Sequence, residues 1–299
     1  MYFPFFRAKQ HDYSAILESK MDIYDNVFPI IEPLAKPSQK FIQYIINNKI
    51  DIIFIVNPFS GNYNHENVAK DIESFDDHQF LTLGYNISHK TSVKELLEVF
   101  KKYPMRQFAL IFHSENTVVE NAIHNNSNRV DWVVLIDGKL SNDFKETYEE
   151  YDRILVRDCF EKEDRNADYP PTSYYSDLYA TYESDGYKGY GDFLIMTYRY
   201  KDGGGAAHAV ALHLTSHDDD NYNIIMNHFV SDDTEGAQNP GGKYEQARKK
   251  LLKFLRDNPS VDITTGANQF KSPSYPGLGI AKKRSLIHHL EYMDSLMIE

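Results

Sequence analysis

The chain is poor in several residue types, and each shortage removes a class of protein. A single cysteine, Cys159, among 299 residues leaves no intramolecular disulfide to form. No apolar run approaches the roughly 20 residues that a bilayer-crossing helix needs. The opening MYFPFFRAKQ sets aromatics before its first base and has no small-residue cleavage site, so it reads as a first strand and not as a secretory leader. These features predict a cytoplasmic protein with no membrane partner. Positive charge is also short. With 32 Lys and Arg against 44 Asp and Glu, the net charge is −12. Duplex nucleic acid is bound mainly by clustered bases that neutralise phosphate. The densest basic runs, Arg248-Lys249-Lys250 and Lys282-Lys283-Arg284, fall in helix-like segments and read as solvated faces. Duplex nucleic acid is therefore not an expected partner.

Several motifs are missing too. No H-x-H or H-E-x-x-H spacing occurs, and His288 and His289 would point about 100° apart on a helix, so no metal is assigned. Gly203-Gly204-Gly205 lacks the Lys-Ser/Thr of a phosphate loop. A pyridoxal-phosphate barrel needs a lysine near the end of its first strand, and Lys9 falls beyond it. Cys159 has no base beside it in sequence. No cofactor is assigned.

What the chain does have is a rhythm. Short apolar runs recur at Tyr2–Phe6, Val27–Ile31, Asp51–Val56, Phe80–Tyr85, Phe108–Phe112, Trp132–Ile136 and Ile154–Val156, with helical patterns between them. Runs apolar on both faces are parallel strands covered by helices. Seven units approach the eight of a closed (β/α)₈ barrel. A doubly wound sheet would be expected to carry a glycine fingerprint after its first strand. Arg7-Ala8-Lys9 has no glycine there, so the reading is a TIM-type barrel over residues 1–299. After Asp158 the rhythm breaks into a Tyr-rich loop and a β-hairpin, an insertion spanning 160–233. Phe193–Tyr198, Ala209–Leu214 and Ile224–Val230 read as strands, one of them the eighth of the barrel, with turns over Lys201–Gly205 and Ser216–Asn223. This stretch also gathers Asp192, Arg199, His208, His213 and His228. Tyr244–Leu255 and Ala281–Met297 read as helices, and Ser260–Gly279 as a loop.

In such a barrel the strand C-termini converge on one rim, where ligands bind. The residues at those ends form a polar ring: Arg7, Lys9, Glu32, Asn57, Asn86, His113, Glu115, Asp137, Arg157 and Asp158. Glu32, His113 and Asp137 are the candidate proton-transfer groups. Arg7, Lys9, Asn57, Arg157, Asp158 and Asp192 are the candidate ligand contacts, with the bases suited to phosphate or carboxylate. Asp192 reads as a strand-start residue, either an ordinary turn or cap group or one that a Tyr-rich lid would carry down to Arg7, Lys9 or Arg157. The ligand expected is a polar or anionic small molecule. A hydrolase or phosphodiesterase acting on a phosphorylated or nucleotide-like substrate is one alternative. A non-catalytic interaction protein is the other, and the 22 tyrosines suit a contact surface.

Six motifs stand in order along the chain: YFPFFRAKQ from Tyr2, PIIEP from Pro29, GYGDF from Gly189, AVALHLT from Ala209, HFVSD from His228 and PGLGIAKKRSLIHHLEYM from Pro276. On these the chain resembles the bacterial and phage-borne "Beta protein" family over nearly its whole length. The resemblance implies a phage-defence or mobile-element setting and a protein partner encoded nearby. It carries over Lys9, Glu32 and Asp192, without a chemical role for any of them.

Overall fold

Eight strands are parallel, and each lies beside the next. They are β1 (Phe5–Ala8), β2 (Ile30–Pro33), β3 (Ile52–Ile55), β4 (Leu81–Ile87), β5 (Phe108–Phe112), β6 (Val130–Ile136), β7 (Arg153–Arg157) and, after β8 (Thr172–Ser176), β9 (Gly189–Asp192). The sheet order is β1-β2-β3-β4-β5-β6-β7-β9. This comes from a computed structural model that describes residues 1–63, 65–75, 79–200, 208–218, 222–261 and 263–297. The last strand returns to the first. Tyr190 forms a parallel bridge with Tyr2, the Phe3 N–H donates to Tyr190 O at 2.7 Å, and the Tyr190 N–H donates to Met1 O at 3.1 Å. The result is an almost closed (β/α)₈ barrel of the TIM type, as the strand rhythm predicts.

The chain divides into two compact units, and the barrel strands belong to the first: residues 1–9, 28–158 and 181–192. Its helices form for local reasons. Ser38 caps helix Gln39–Asn48 through the Phe41 N–H. Ser92 opens helix Val93–Lys102 with a reciprocal capping box to Glu95. Outward strand residues pack on this layer, as Phe54 does on Phe75, Phe108 on Phe100, and Phe112 on Phe144.

The second unit comprises residues 10–27, 159–180 and 193–299. Strands β10 (Ala211–Asp218) and β11 (Asn223–Val230) form the expected antiparallel hairpin, with β8 added beside β11. One face packs Leu212, Leu214 and Phe229 with Tyr244, Ala247, Leu251 and Leu255 of helix Pro240–Asp257. Helix Leu278–Ser295 is polar yet buried, and its polar groups are bonded. His288 Nε2 donates to Thr215 O and Nδ1 accepts from Thr264 Oγ1, both at 2.8 Å, while His289 Nδ1 meets Thr215 Oγ1 at 2.6 Å. The two rings serve as structural anchors.

Four readings need correction. The eighth barrel strand is Gly189–Asp192, not one of the three runs that follow it. Asp192 therefore ends a strand and does not start one. Phe193–Tyr198 is not a strand, because Leu194 takes a left-handed backbone (φ 57°) that breaks extended pairing. The Tyr-rich excursion is not all loop, since it holds β8 and helix Leu178–Thr181, and Ser260–Gly279 holds helix Thr265–Gln269. The turn expected at Lys201–Gly205, with its three glycines, lies outside the described residues, as do 219–221 of the hairpin turn. Among the described residues no helix is long and apolar enough to cross a membrane.

Candidate functional site

Alternation along the strands decides where the polar ring points. Phe3, Phe5 and Arg7 share one face. Phe3 packs on Phe28 and Trp132, and Phe5 meets His113 edge-on, so this face looks into the barrel. Arg7 pairs with Glu32 in the β1–β2 register, and both are buried. They lie inside their strands, near the C-terminal ends, and not beyond them.

A continuous hydrogen-bonded chain runs from there across five strand ends. Glu32 Oε2 accepts from Arg7 Nε at 3.2 Å. Glu32 Oε1 accepts from the Phe59 backbone N–H at 2.7 Å and from Asn86 Nδ2 at 3.4 Å. Asn57 and Asn86 bind each other's backbone: Asn57 Nδ2 donates to Asn86 O at 2.9 Å and Asn57 Oδ1 accepts from the Asn86 N–H at 2.8 Å, while Asn86 Nδ2 donates to Asn57 O at 3.2 Å. Asn86 Oδ1 then lies 2.8 Å from His113 Nε2. Because the Asn86 amide group already donates to Glu32, its oxygen faces the imidazole, and His113 must donate from Nε2. Burial, helped by the positive charge of Arg7, pushes His113 down to about 3. The ring is neutral at physiological pH. The Phe59 ring, half exposed, lies 5.0 Å from it.

The other ring residues have contacts of their own. Arg157 shares its face of β7 with Arg153, which bonds Lys145 O on the helix layer. There Asp137 accepts from Arg157 Nε at 2.8 Å and from Lys145 Nζ at 2.9 Å. Burial alone would raise the Asp137 carboxyl, but these two hydrogen bonds and charges outweigh it and hold the group below its ordinary value. Asp192 shares its face of β9 with Tyr190, and the Tyr2 hydroxyl donates to both of its carboxylate oxygens at 3.0 and 3.1 Å. Glu115 accepts from the Ser141 N–H. Lys9 is half-buried just past β1, and Asp158 is exposed just past β7. Of the predicted ring, then, Arg7, Glu32, Asn57, Asn86 and His113 come together. Asp137 and Arg157 form a separate pair, and Asp192 is held by a tyrosine.

A cavity of about 430 Å³ lies between the ends of β3 and β4 and helix Val93–Lys102, lined by Asn57, Phe59, Tyr85, Lys90, Glu95 and Glu98 among others. Burial and the charges of Glu95 and Glu98 push the Tyr85 hydroxyl up to about 12, so it stays protonated. Sequence reasoning missed Phe59, Tyr2 and Lys145. Tyr2 and Lys145 act from a strand approach and a helix, where rim residues are not sought. Phe59 follows Asn57-Pro58, and its backbone amide, invisible to side-chain patterns, is what binds Glu32.

The fold and the rim define the class as a (β/α)₈ barrel with a polar network at its strand C-termini. Comparison of the chain with protein-family models, with curated proteins and with solved structures returned no match.

Proposed function

We propose that the inner face of the barrel's C-terminal rim binds a polar small molecule, with any anionic group of that molecule directed toward Lys9. The observation that carries this reading is the burial of Glu32, whose carboxylate is only 1% exposed and sits at the rim among Arg7, Phe59 and Asn86. Buried charges are costly to desolvate and are weak contributors to stability. A barrel core filled with apolar layers does not need them, whereas the C-terminal rim is where barrels of this class bind ligands. Binding fits the network better than proton transfer does. An imidazole held near 3 is too weak a base to take up a proton efficiently at neutral pH. The phage-defence setting that the family resemblance implies is part of the same proposal.

The test is calorimetric titration with inorganic phosphate and a panel of nucleoside monophosphates. At least one should bind, and Lys9→Ala or Glu32→Gln should weaken it about fivefold or more, roughly the effect of 1 kcal/mol. A panel with no binder, or binding that neither variant alters, would sink the proposal. Turnover of a cyclic or dinucleotide phosphodiester that vanishes in Glu32→Gln would establish the hydrolase alternative instead.

A further inference from the structure

The second unit holds polar groups of its own. His213 of β10 and His228 of β11 are directly paired across the hairpin, and Ser173 of β8 pairs with Met226, two residues before His228. With side chains alternating, all three stand on one face of the three-stranded sheet. Ser173 Oγ lies 2.9 Å from His228 Nε2, and His228 Nδ1 lies 2.8 Å from His213 Nδ1. Two neutral rings joined through Nδ1 share one proton between them, so one is the Nδ1–H tautomer and the other the Nε2–H tautomer. Tyr169 stacks on His228 at 4.7 Å, and Phe160 meets His213 edge-on at 5.2 Å. The His213 ring is thus fixed in place. Burial pushes it down to about 3, with the neighbouring His228 and the positive charge of Lys282 adding to the effect.

His213 stands in the wall of a cavity of about 290 Å³. Phe160, Ile195, Met196 and Leu278 give this cavity an apolar side. Lys162, Arg199 and Lys282 also line it, all exposed, and among the described residues no carboxylate does. In a chain with net charge −12 that is a local reversal of sign. Among the described residues neither Lys162 nor Arg199 has an ion-pair partner. We infer that this cavity binds a small oxyanion, a phosphate or carboxylate carried on an apolar body of about one ring. Its volume is at the lower end of the range for small-molecule pockets, which fits one ring with one anionic group. The anionic group sits among the three bases, the body lies against Phe160 and Ile195, and His213 offers a neutral hydrogen-bonding edge. This site shares no residue with the rim network.

Phenyl phosphate, benzoate and uncharged phenol are the probes, titrated calorimetrically into the full chain. At least one of the two anions should bind about tenfold or more tighter than phenol, which corresponds to about 1.4 kcal/mol. The tighter of the two identifies the headgroup class. Arg199→Ala and Lys282→Ala, both at exposed positions, should each weaken that anion severalfold and leave phenol unchanged. Amide ¹⁵N shifts on binding should centre on Ala211, Leu212 and Leu278. Anions that bind no better than phenol would overturn the inference. So would unchanged affinity in the double variant, or shifts centred on Glu32 and Asn86, which would assign the anion to the rim.

Discussion

Glu32 and Arg7 form an ion pair inside the barrel, Oε2 to Nε at 3.2 Å. Both side chains are nearly inaccessible, at 2% and 5% exposed. Breaking a buried pair by removing one partner typically costs roughly 3–5 kcal/mol. Glu32→Gln and Arg7→Met should therefore each lower the urea-unfolding free energy by that order. The double variant should lose clearly less than the sum of the two. Additive losses would mean that the ion pair is not the unit of stability. His113 makes a prediction about pH. Its folded value, about 3, lies below the ordinary 6.5. The unfolded chain thus takes up the proton first. The stability that the neutral ring contributes is fully present above pH 6.5 and is lost as pH falls toward 3. Between pH 7 and 5 that single group accounts for about 2 kcal/mol. His113→Asn should flatten the stability curve over that interval, and an unchanged slope would show that the ring is not buried neutral.

Strand β9 is the element on which closure depends. Its sequence, Gly-Tyr-Gly-Asp, is built for close approach. A Cβ on Gly191 would stand 2.1 Å from Phe3 O, and one on Gly189 would stand 2.4 Å from the Phe3 ring. Both glycines let β9 lie against the Met1–Phe3 segment, where the Tyr190 bonds complete the barrel. Gly191→Ala must push the backbone apart and should cost at least the 1–3 kcal/mol typical of overpacking. Faster amide exchange at Phe3 and Tyr190 would locate the damage at the closure, and unaltered exchange there would refute the assignment. The same element shows what the sequence concealed. Seven strands are legible because each carries or adjoins a run of apolar residues that is buried on both faces. The eighth has two glycines, one aspartate and one tyrosine, so it has no apolar pattern. Phe193–Tyr198 looked like the better strand by composition. Tertiary context overrides that propensity, because Leu194 turns left-handed and its carbonyl accepts from the Tyr175 hydroxyl at 2.9 Å. The inner half of the candidate site was legible for the same reason as the strands, since each member sits at a strand end. The outer half was misjudged because alternation, and not position alone, sets which side chains enter the barrel.

At the scale of the whole molecule, both compact units are assembled from separate stretches of chain. The barrel unit needs residues 1–9, 28–158 and 181–192 together. The second unit needs 10–27 with 159–180 and the chain from 193 onward. Within it, buried Glu291 binds two of these stretches at once: Oε1 accepts from the Lys20 N–H at 2.9 Å, and Oε2 accepts from the Thr265 N–H at 2.6 Å. No local pattern in a sequence reports such pairings, which is why the chain reads as one barrel over 1–299 with an insertion at 160–233 and not as a barrel with a second unit. The interleaving has a measurable consequence. A chain cut after Asp158 retains the seven strands legible in the sequence and lacks Gly189–Asp192. The edge of β7 and the Met1–Phe3 segment then lose their hydrogen-bonding partner, and an unpaired hydrophobic strand edge is a template for self-association. Such a fragment is expected to keep much of its far-ultraviolet dichroism, to lose near-ultraviolet signal, and to elute as aggregates. Supplying residues 181–192 as a fused tail should restore a closed barrel only if that tail can reach β7 in parallel register, with Ile154 opposite Gly189. A fragment 1–158 that is monomeric, with native near-ultraviolet dichroism, would show that the seven-stranded sheet is stable open and that β9 is dispensable for the barrel.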